Sequence, residues 1–543
     1  MMKVFTQNRD QTVAVLFIII FAFLLLFTTR AAQQTRDSLV YAFSARTGQE
    51  LFHPHHLIFT PVIHLFFLAL SSIHGLGDAI LAGQIHNILW AMIAAASFFL
   101  ILKHLSVSTL FSSLATILLL VTRGFWELST QTTMYISAMG VLALLVAILI
   151  VRREAQLAIS KILVIALLFA LSGLYHQANV LFCLPLGYYI IAIERKRGLN
   201  LWLTIVSIAG VIVLASYILA FLSVNDTWSV GEFLRFCLAY TSEICFSGQC
   251  AVTPDTWGTS DNLGVVGVRS LLDSLLWNFV ISPESLINVV ILVFALFLAI
   301  LYIWNVRQIL NHGPYEKIRG FLLIWSMTYM LFFFWWLPDY QHPFVIVLFP
   351  TLLLAFLALK DVMDWLDRSG GWPVNSNSVK TTLAATIVLV ITLISARNFQ
   401  ARIFPLHQPI NDSYLEASEL VALASPQECV IFTSYRVWNH LRYYFDKEEQ
   451  AIQAKYPLSY FYQGKTLPEM YRLEEETCVL ISASYIMPDY TVPGYNPSGS
   501  NGYIESSKWL AYITWLFDLE YDSKDVVIAS RKMNAWTSQK RKN

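Results

Sequence analysis

Runs of apolar residues long enough to cross a lipid bilayer recur along the first 396 residues of this 543-residue chain. A helix needs roughly 20 residues to cross a hydrocarbon core about 30 Å thick. A helix buried in a soluble protein keeps a polar stripe, and these runs show little of one. Only 13% of the residues are charged, against about 25% in soluble domains. The chain is therefore predicted to be a mainly α-helical, polytopic membrane protein.

Twelve apolar segments are predicted to form a transmembrane helical bundle. They cover residues 13–28, 58–73, 79–102, 106–122, 135–151, 158–174, 178–194, 201–223, 285–304, 320–337, 343–359 and 381–396. The first follows Lys3 and Arg9 and has no clear small-residue cleavage site, so we interpret it as a retained anchor rather than a signal peptide.

The distribution of basic residues predicts the topology. Arg152-Arg153, Arg195 to Arg197 and Arg307 to Arg319 lie in short connections, and cytoplasmic loops are rich in Lys and Arg. The connections placed on the opposite, outer side are residues 123–134, 175–177, 224–284 and 338–342, together with everything after residue 396.

The basic N-terminus must also be cytoplasmic, and the alternation then fails unless one early segment does not cross. Ile58–Ile73 is the best candidate, because it has only 16 residues and contains Pro61 and His64. This predicts about eleven crossings and an outer loop over residues 30–77. The alternatives are that Ile58–Ile73 does cross, or that a thirteenth segment exists.

The tail, residues 397–543, has a mixed composition that predicts a small α/β domain on the outer side. Short strands are predicted at Glu428–Phe432, Thr477–Ile481 and Asp525–Ala529, with helical patterns between them. The predicted domains are therefore a transmembrane domain, 1–396, and an extracytoplasmic domain, 397–543.

The cysteines permit two disulfides in an oxidising outer compartment. Cys245 and Cys250 are close enough in sequence to close a small loop. Cys429 and Cys478 begin two predicted strands and either pair or remain buried thiols, since connectivity cannot be read from sequence.

Polar residues that could take part in catalysis or substrate binding are concentrated on the predicted outer side. Asp37, Tyr41, Gly48 and Pro54 follow the first span in that order. Later outer segments read Gly124-Phe125-Trp126-Glu127-Leu128-Ser129-Thr130-Gln131, Leu174-Tyr175-His176-Gln177 and Trp336-Leu337-Pro338-Asp339-Tyr340-Gln341-His342-Pro343. In this order the chain resembles the GT-C superfamily of membrane glycosyltransferases, including the protein mannosyltransferase and aminoarabinose transferase group.

The resemblance implies an enzyme of the bacterial cytoplasmic (inner) membrane that uses a polyprenyl-phosphate-linked sugar. The acceptor would be a lipid, glycan or protein on the outer face. Some members carry a second acid after the first, and this chain has Ser38 after Asp37, so a paired-carboxylate version is not supported.

Asp37 is the predicted catalytic base, since sugar transfer needs a base near the acceptor hydroxyl; the alternative is an ion pair with Arg30 or Arg36. Candidate substrate-binding residues share a position near the outer surface. They are Arg36, Tyr41, His53, His55, His56, Arg123, Glu127, His176, Asp339 and His342, with Arg402 as a further phosphate ligand. For several of these, an ordinary interface residue is at least as good an interpretation.

A divalent metal is one candidate cofactor, because imidazole is a common metal ligand. Interface histidines without metal are the preferred interpretation of His53, His55 and His56. The balance of 36 basic and 36 acidic residues gives no indication of a nucleic-acid partner.

Two other functions remain open at this stage. A transporter or flippase usually places ionisable residues within its spans and shows repeated halves, whereas these spans are nearly free of Asp, Glu, Lys and Arg and no repeat is visible. A non-catalytic binding or assembly protein of the same fold is the third.

Overall fold

The structure is a computed structural model of the chain. It describes residues 2–151, 159–225, 228–237, 263–276, 286–313, 315–336, 341–368, 376–408, 430–433, 435–445, 451–453, 478–482, 517–521 and 526–531. The predicted disulfide between Cys245 and Cys250 lies outside these residues. Cys429 lies outside them too, so its pairing with Cys478 stays a prediction.

The chain divides into two compact units. The first comprises Met1–Ala31 and Ser44–His407, and the second comprises Ala32–Phe43 and Gln408–Asn543. The boundary predicted after residue 396 and the outer placement of residues 397–543 both stay predictions.

Helices make up the first unit. They are α1 (Met2–Thr28), α2 (Arg36–Thr47, which begins in the second unit), α3 (Phe59–Ser71), α4 (Ala79–His104), α5 (Thr109–Val121), α6 (Arg123–Ser129), α7 (Met134–Val151), α8 (Ile159–Tyr175), α9 (Cys183–Glu194), α10 (Gly198–Val224), α11 (Val230–Cys237), α12 (Leu263–Leu275), α13 (Leu286–Leu310), α14 (Glu316–Trp336), α15 (Val345–Arg368), α16 (Ser376–Asn398) and α17 (Phe404–His407). Short 3₁₀ turns cover Pro54–His56, Gln177–Phe182, Arg195–Arg197 and His342–Phe344, and a π-helical turn covers Phe399–Ile403.

Among the described residues, seven helical segments are long and apolar enough to cross a membrane, or eight if α5 and α6 form one bent span. The chain is a multi-pass membrane protein. Each of the twelve predicted apolar segments contains a helix. The 13 residues of α3 span only about 20 Å, less than the thickness of a hydrocarbon core. The count of eleven crossings stays a prediction.

The longest apolar segment, Gln177–Val224, has 48 residues but is not a single rod. It breaks at Arg195–Arg197, and α9 and α10 pack against one another. A Cβ on Gly198 would lie 2.5 Å from the Cα of Ile191, so only glycine allows the two helices to approach so closely. The segment therefore folds back at its basic turn.

The core of the first unit forms around α4 and α7. The two helices pack together, with α1 and α3 against α4 and with α8 against α7. The helix α15 is also largely buried and packs against α14 and α13. The helix α6 is bent by 65° from α5, which places α6 at the end of the bundle, where the candidate site residues lie.

The second unit contains a five-stranded mixed sheet. Its strands are β1 (Val430–Thr433), β2 (Ala451–Gln453), β3 (Cys478–Ser482), β4 (Phe517–Tyr521) and β5 (Val526–Arg531), with α18 (Tyr435–Phe445) after β1. The order is β2-β1-β3-β5-β4. β1 is parallel to β2 and β3, with Ile431 paired to Ala451 and Leu480, whereas β5 is antiparallel to β3 and β4. β1, β3 and β5 coincide with the three predicted strands.

Candidate functional site

A buried carboxylate between two guanidinium groups is the centre of the candidate site. Arg123 donates from Nε to Glu127 Oε2 over 3.1 Å, one turn earlier on α6. Arg402 donates from Nη2 to Glu127 Oε1 over 2.5 Å, and His342 Nε2 lies 4.0 Å from the same oxygen. We call these four residues the charged core. His342 is an imidazole with no fixed charge, so within these four residues two guanidinium groups face one carboxylate, and the carboxylate of Asp273 also acts on Arg123.

The two arginines differ in exposure. The Arg123 side chain is 4% exposed, and it also donates from Nη1 to the carbonyl of Asp273 over 3.4 Å. The Arg402 side chain is 24% exposed, against 1% for Glu127. Arg402 is therefore the guanidinium that a ligand can reach, and Glu127 is the group that holds it in place.

The backbone around α6 is fixed from several sides. Trp126 donates from Nε1 to Thr29 Oγ1 of the segment after α1, over 2.8 Å. Asn398, at the end of α16, donates to the carbonyls of Val121 and Leu275 over 2.9 and 3.1 Å. A Cβ on Gly124 would lie 3.3 Å from the carbonyl oxygen of Ser274. The segment carrying Glu127 is thus tied to α1, α12 and α16.

A set of aromatic and imidazole rings adjoins the charged core. The ring of Tyr135 lies 6.0 Å from that of His342 and 5.2 Å from that of His176. The Trp336 ring in turn lies 6.4 Å from His176 and 6.5 Å from His55. We call Tyr135, His176, Trp336 and His55 the ring wall. It brings together four separate segments of the chain, with His55 and Trp336 partly exposed and Tyr135 and His176 buried.

The histidines of this region are neutral near pH 7. Burial lowers the pKa of His53 to about 4 and that of His176 to about 4. Burial, and then the neighbouring His53 and His176, lower the pKa of His55 to about 3. The ring wall therefore offers apolar faces and neutral hydrogen-bonding nitrogens rather than positive charge.

The histidines considered as candidate metal ligands include two whose rings stack. The rings of His53 and His56 are 4.0 Å apart and nearly parallel, at 6°. Among the residues that the structure describes, no group of three His, Cys, Asp or Glu side chains could hold a metal ion.

Three polar residues of α4 were not predicted from the sequence as part of the site. Gln84, His86 and Asn87, which we call the α4 polar stripe, are buried and hydrogen-bond to the segments around the charged core. The available signal was their position: three polar residues near the start of an apolar helix of 26 residues.

The predicted site residues fall into two groups. Glu127, Arg123, Arg402 and His342 meet in the charged core, and His176 and His55 in the ring wall, with His53 and His56 packed beside His55. Asp37 and Tyr41 belong to the second unit. Asp37 is exposed in the first turn of α2, and Tyr41 is buried one turn later. The single cavity shared by Asp37, Glu127, His176 and His342 remains a prediction.

Two predicted residues cannot be placed. Asp339 and the side chain of Arg36 lie outside the described residues. A cavity of about 540 Å³ lies instead at the other end of α1, lined by Arg9, Asp10, Val13, Ala14, Phe17 and Ser113. Its lining on α1 runs from Arg9 to Phe17, about 18 to 30 Å along the helix from Thr29, so it does not belong to the charged core.

Comparison with known proteins gives matches in structure and none in sequence. No family model and no curated protein matches the chain. ArnT from Cupriavidus metallidurans, solved bound to undecaprenyl phosphate, is similar with a TM-score of 0.59 at 11% identity, over 96% of this chain and 98% of ArnT. Its apo state gives a TM-score of 0.60 at 11% identity, over 95% and 98% of the two chains.

A second solved structure is also similar. The archaeal oligosaccharyltransferase AglB from Archaeoglobus fulgidus, in complex with an inhibitory peptide and a dolichol-phosphate, has a TM-score of 0.52 at 10% identity, over 97% of this chain and 75% of AglB. ArnT and AglB are both GT-C glycosyltransferases. At such low identity the likeness is evidence about the fold.

Proposed function

Because the chain is a multi-pass membrane protein with the GT-C fold, we propose that it is a membrane glycosyltransferase. It moves a sugar from a polyprenyl-phosphate donor to a lipid, glycan or protein acceptor on the outer face of a bacterial inner membrane. The observation that carries the proposal is the charged core, where one carboxylate holds two guanidinium groups and one of these remains accessible.

The charged core suits a phosphate at the membrane surface. A guanidinium presents several N–H donors in a planar fork that matches phosphate oxygens. Glu127 accepts from one nitrogen of Arg402, and the Arg402 side chain is 24% exposed, so an anion could approach it from solvent. With the lipid phosphate bound there, the departing oxygen of the donor would be stabilised as the bond to the sugar breaks.

The ring wall suits the sugar. Neutral imidazoles and aromatic faces can pack against the apolar face of a sugar ring while their nitrogens bond to its hydroxyl groups. Tyr135 touches both a member of the charged core, His342, and a member of the ring wall, His176. A phosphate at the core would therefore place the attached sugar beside the rings.

Asp37 is proposed as the base that removes the proton of the acceptor hydroxyl. Its exposed carboxylate, in the first turn of α2, is accessible to an acceptor. Arg36 and Tyr41 are proposed to assist acceptor or donor binding, and Asp339, three positions before His342 in the sequence, to assist donor binding. No step of the proposal requires a metal.

The direct experiment uses the purified full-length chain in detergent or nanodiscs. Undecaprenyl phosphates carrying different hexoses and pentoses are incubated with it, and release or transfer of the sugar is followed by mass spectrometry. We expect turnover with at least one donor, and a loss of turnover in Arg402→Gln. Binding of undecaprenyl phosphate without any turnover, over all donors and acceptors tried, would indicate a non-catalytic binding protein instead.

The outer placement of the site has its own test. The first labelling position is chosen in the loop after Ile58–Ile73. Gly75 has a φ of +81°, where a side chain is strained, so its exposed neighbour His74 is the better position. His74→Cys and His104→Cys are made in a background without native cysteines and treated with an impermeant maleimide. We expect labelling at 74 from outside, and at 104 only after lysis, because the short basic connection Lys103-His104 is predicted to be cytoplasmic. Outside labelling at 104 with 74 protected would show that Ile58–Ile73 crosses the membrane.

A further inference from the structure

We infer that the α4 polar stripe is a positioning device, which fixes the connection carrying Glu127 relative to the connection carrying His176. The ligand of the site is taken from the proposed function, on which the inference rests to that extent. The positioning role itself is argued from hydrogen bonds. Gln84, His86 and Asn87 are not among the residues proposed to bind the phosphate or the sugar, so they act through the residues they hold.

The first half of the device grips the connection between α6 and α7. Gln84 donates from Nε2 to the carbonyls of Ala31 and Thr130, over 2.7 and 3.0 Å. Asn87 donates from Nδ2 to the carbonyls of Gln131 and Thr133, both over 2.7 Å. These carbonyls lie outside the helices, where irregular backbone is tolerated at membrane depth only if protein groups satisfy it.

A close approach between α4 and the same connection strengthens the grip. A Cβ on Gly83 would lie 2.3 Å from Thr132 Cγ2, so the contact requires glycine on α4. Thr132 also donates from Oγ1 to the carbonyl of Ile80 over 3.2 Å. The whole turn between Glu127 and Tyr135 therefore lies directly against the first turns of α4.

The second half of the device reaches the connection between α8 and α9. Trp90 donates from Nε1 to His86 Nε2 over 3.1 Å, and an indole nitrogen can only donate. His86 Nε2 is therefore an acceptor, and the proton of the neutral ring sits on Nδ1. That proton points to Asn87 Oδ1, 3.3 Å away. Tyr175, the neighbour of His176, also donates its hydroxyl to His86 Nε2 over 3.0 Å, so Trp90 and Tyr175 share the single lone pair of this nitrogen.

A continuous chain of hydrogen bonds thus runs from the carbonyls of Gln131 and Thr133, through Asn87 and His86, to Tyr175. Buried polar groups within a membrane span are costly unless they are satisfied, and a purely stabilising role could be met by partners on any neighbouring helix. Here most of the partners lie in the two connections that carry the site. Since a displacement of about 1 Å can cost a site much of its activity, the arrangement controls the site's geometry.

The test compares three variants of the full-length protein in detergent. Asn87→Leu removes the central link, and Tyr175→Phe removes one hydroxyl with little change in shape. Trp90→Phe is the matched control, because it removes a hydrogen bond to His86 without breaking the chain between the two connections. For each variant, backbone hydrogen exchange, the melting temperature and the Kd for undecaprenyl phosphate are measured.

We expect Asn87→Leu to speed exchange at residues 130–133 and 176–179 about tenfold or more, while the middle of α7 stays protected. We expect its Kd to rise about tenfold, the effect of one or two lost buried hydrogen bonds. Tyr175→Phe should do the same more weakly, mainly at 176–179. Trp90→Phe should lower the melting temperature without changing Kd or the exchange of either connection.

The inference is overturned if exchange in the two connections is unchanged in Asn87→Leu and Tyr175→Phe, or if all three variants lose protection everywhere to the same extent. It is also overturned if the wild type binds undecaprenyl phosphate and Asn87→Leu binds it equally well. If the wild type does not bind undecaprenyl phosphate, the proposed function fails, and the exchange data still decide whether the stripe positions the two connections.

Discussion

Two buried clusters of the helical unit pair arginine with a carboxylate, and they are built for different purposes. In the charged core, Glu127 is shared between Arg123 and Arg402. In the second cluster, Arg319 of α14 donates to Asp361 over 2.6 Å and to Asn305. We call Arg319, Asp361, Asn305 and Trp304 the Arg319 cluster.

In the Arg319 cluster one guanidinium pairs with one carboxylate, and the guanidinium is fully buried. Its guanidinium is 0% exposed, and Trp304 adds a donor to the same carboxylate oxygen over 3.3 Å. Asn305 also donates to the carbonyl of Leu354 over 2.7 Å, so the cluster joins α13, α14 and α15. One positive and one negative charge satisfy each other there, and the cluster stabilises helix packing.

The charged core has two positive groups for one negative group, and its second guanidinium is partly exposed. The difference teaches that a buried ion pair is not in itself a functional signal. What distinguishes the two clusters is the partial exposure of Arg402 and the neighbouring ring wall. The predictions below test that distinction.

The largest effect is expected at Asp37, where a substitution should change the transfer rate but not the affinity for the lipid phosphate. Asp37→Asn should lower the transfer rate by about 10²–10⁴-fold, the usual contribution of a general base. The Kd for undecaprenyl phosphate should stay unchanged, because the phosphate is assigned to the charged core. Single-turnover kinetics and equilibrium binding on the same preparation measure both quantities. Wild-type turnover in this variant would remove Asp37 from the mechanism.

Breaking the Arg319 cluster should cost stability rather than ligand affinity. Arg319→Met leaves Asp361 without its buried partner, and removing one member of a buried pair costs about 3–5 kcal/mol. We expect a much lower melting temperature in detergent. The protein that remains folded should bind undecaprenyl phosphate with the wild-type Kd. A weaker Kd with a normal melting temperature would place Arg319, against expectation, in the binding site.

The opposite outcome is expected for the accessible arginine of the charged core. Arg402→Gln should raise the Kd for undecaprenyl phosphate about 10–100-fold, the equivalent of one or two charged hydrogen bonds. Because Arg123 still pairs with Glu127, the melting temperature should change less than in Arg319→Met. Arg402→Lys keeps the charge but loses the planar fork, so its Kd should lie between those of the wild type and Arg402→Gln. Equal binding by all three proteins would contradict the assignment.

The smallest effect concerns acid stability. The pKa values of His53, His55 and His176 are about 4, 3 and 4 in the folded protein, below the ordinary value of about 6.5. Between these values the unfolded chain binds more protons than the folded one, so stability is full above about pH 6.5 and falls as the pH drops.

The check is the melting temperature between pH 7.5 and pH 5. His55→Phe keeps a ring beside Trp336 and should make the curve flatter, by at most about 1.4 kcal/mol per pH unit for a fully buried group and less for half-buried His55. A curve as steep as the wild type would show that His55 does not contribute to acid sensitivity.

The sequence predicted much of the fold because lipid imposes a simple rule on it. All twelve apolar segments contain helices, and the tail contains strands where short apolar runs were found. The break of the long segment at Arg195–Arg197 was also predicted from its charges. The strands β2 and β4 were not predicted, since Ala451–Gln453 is very short and Phe517–Tyr521 alternates with acidic residues.

The residues of the candidate site were proposed from the sequence, but the contacts between them were not. Glu127 and His176 stood out as polar residues in short outer connections, whereas the contact between Glu127 and Arg402 joins residues 275 positions apart. The α4 polar stripe was missed because isolated polar residues in a span are compatible with many partners. Their meaning depends on which carbonyls they reach, and that is a property of the packed structure.

The measurement that tests the central claim most directly is a structure of the full-length chain in nanodiscs with undecaprenyl phosphate bound. The account predicts phosphate oxygens at roughly 3 Å from the guanidinium of Arg402, a lipid tail leaving between helices, and an unchanged Arg319 cluster. A phosphate bound elsewhere, with Arg123, Glu127 and Arg402 still in the contacts described above, would show that the charged core is a second structural ion pair and would contradict the account.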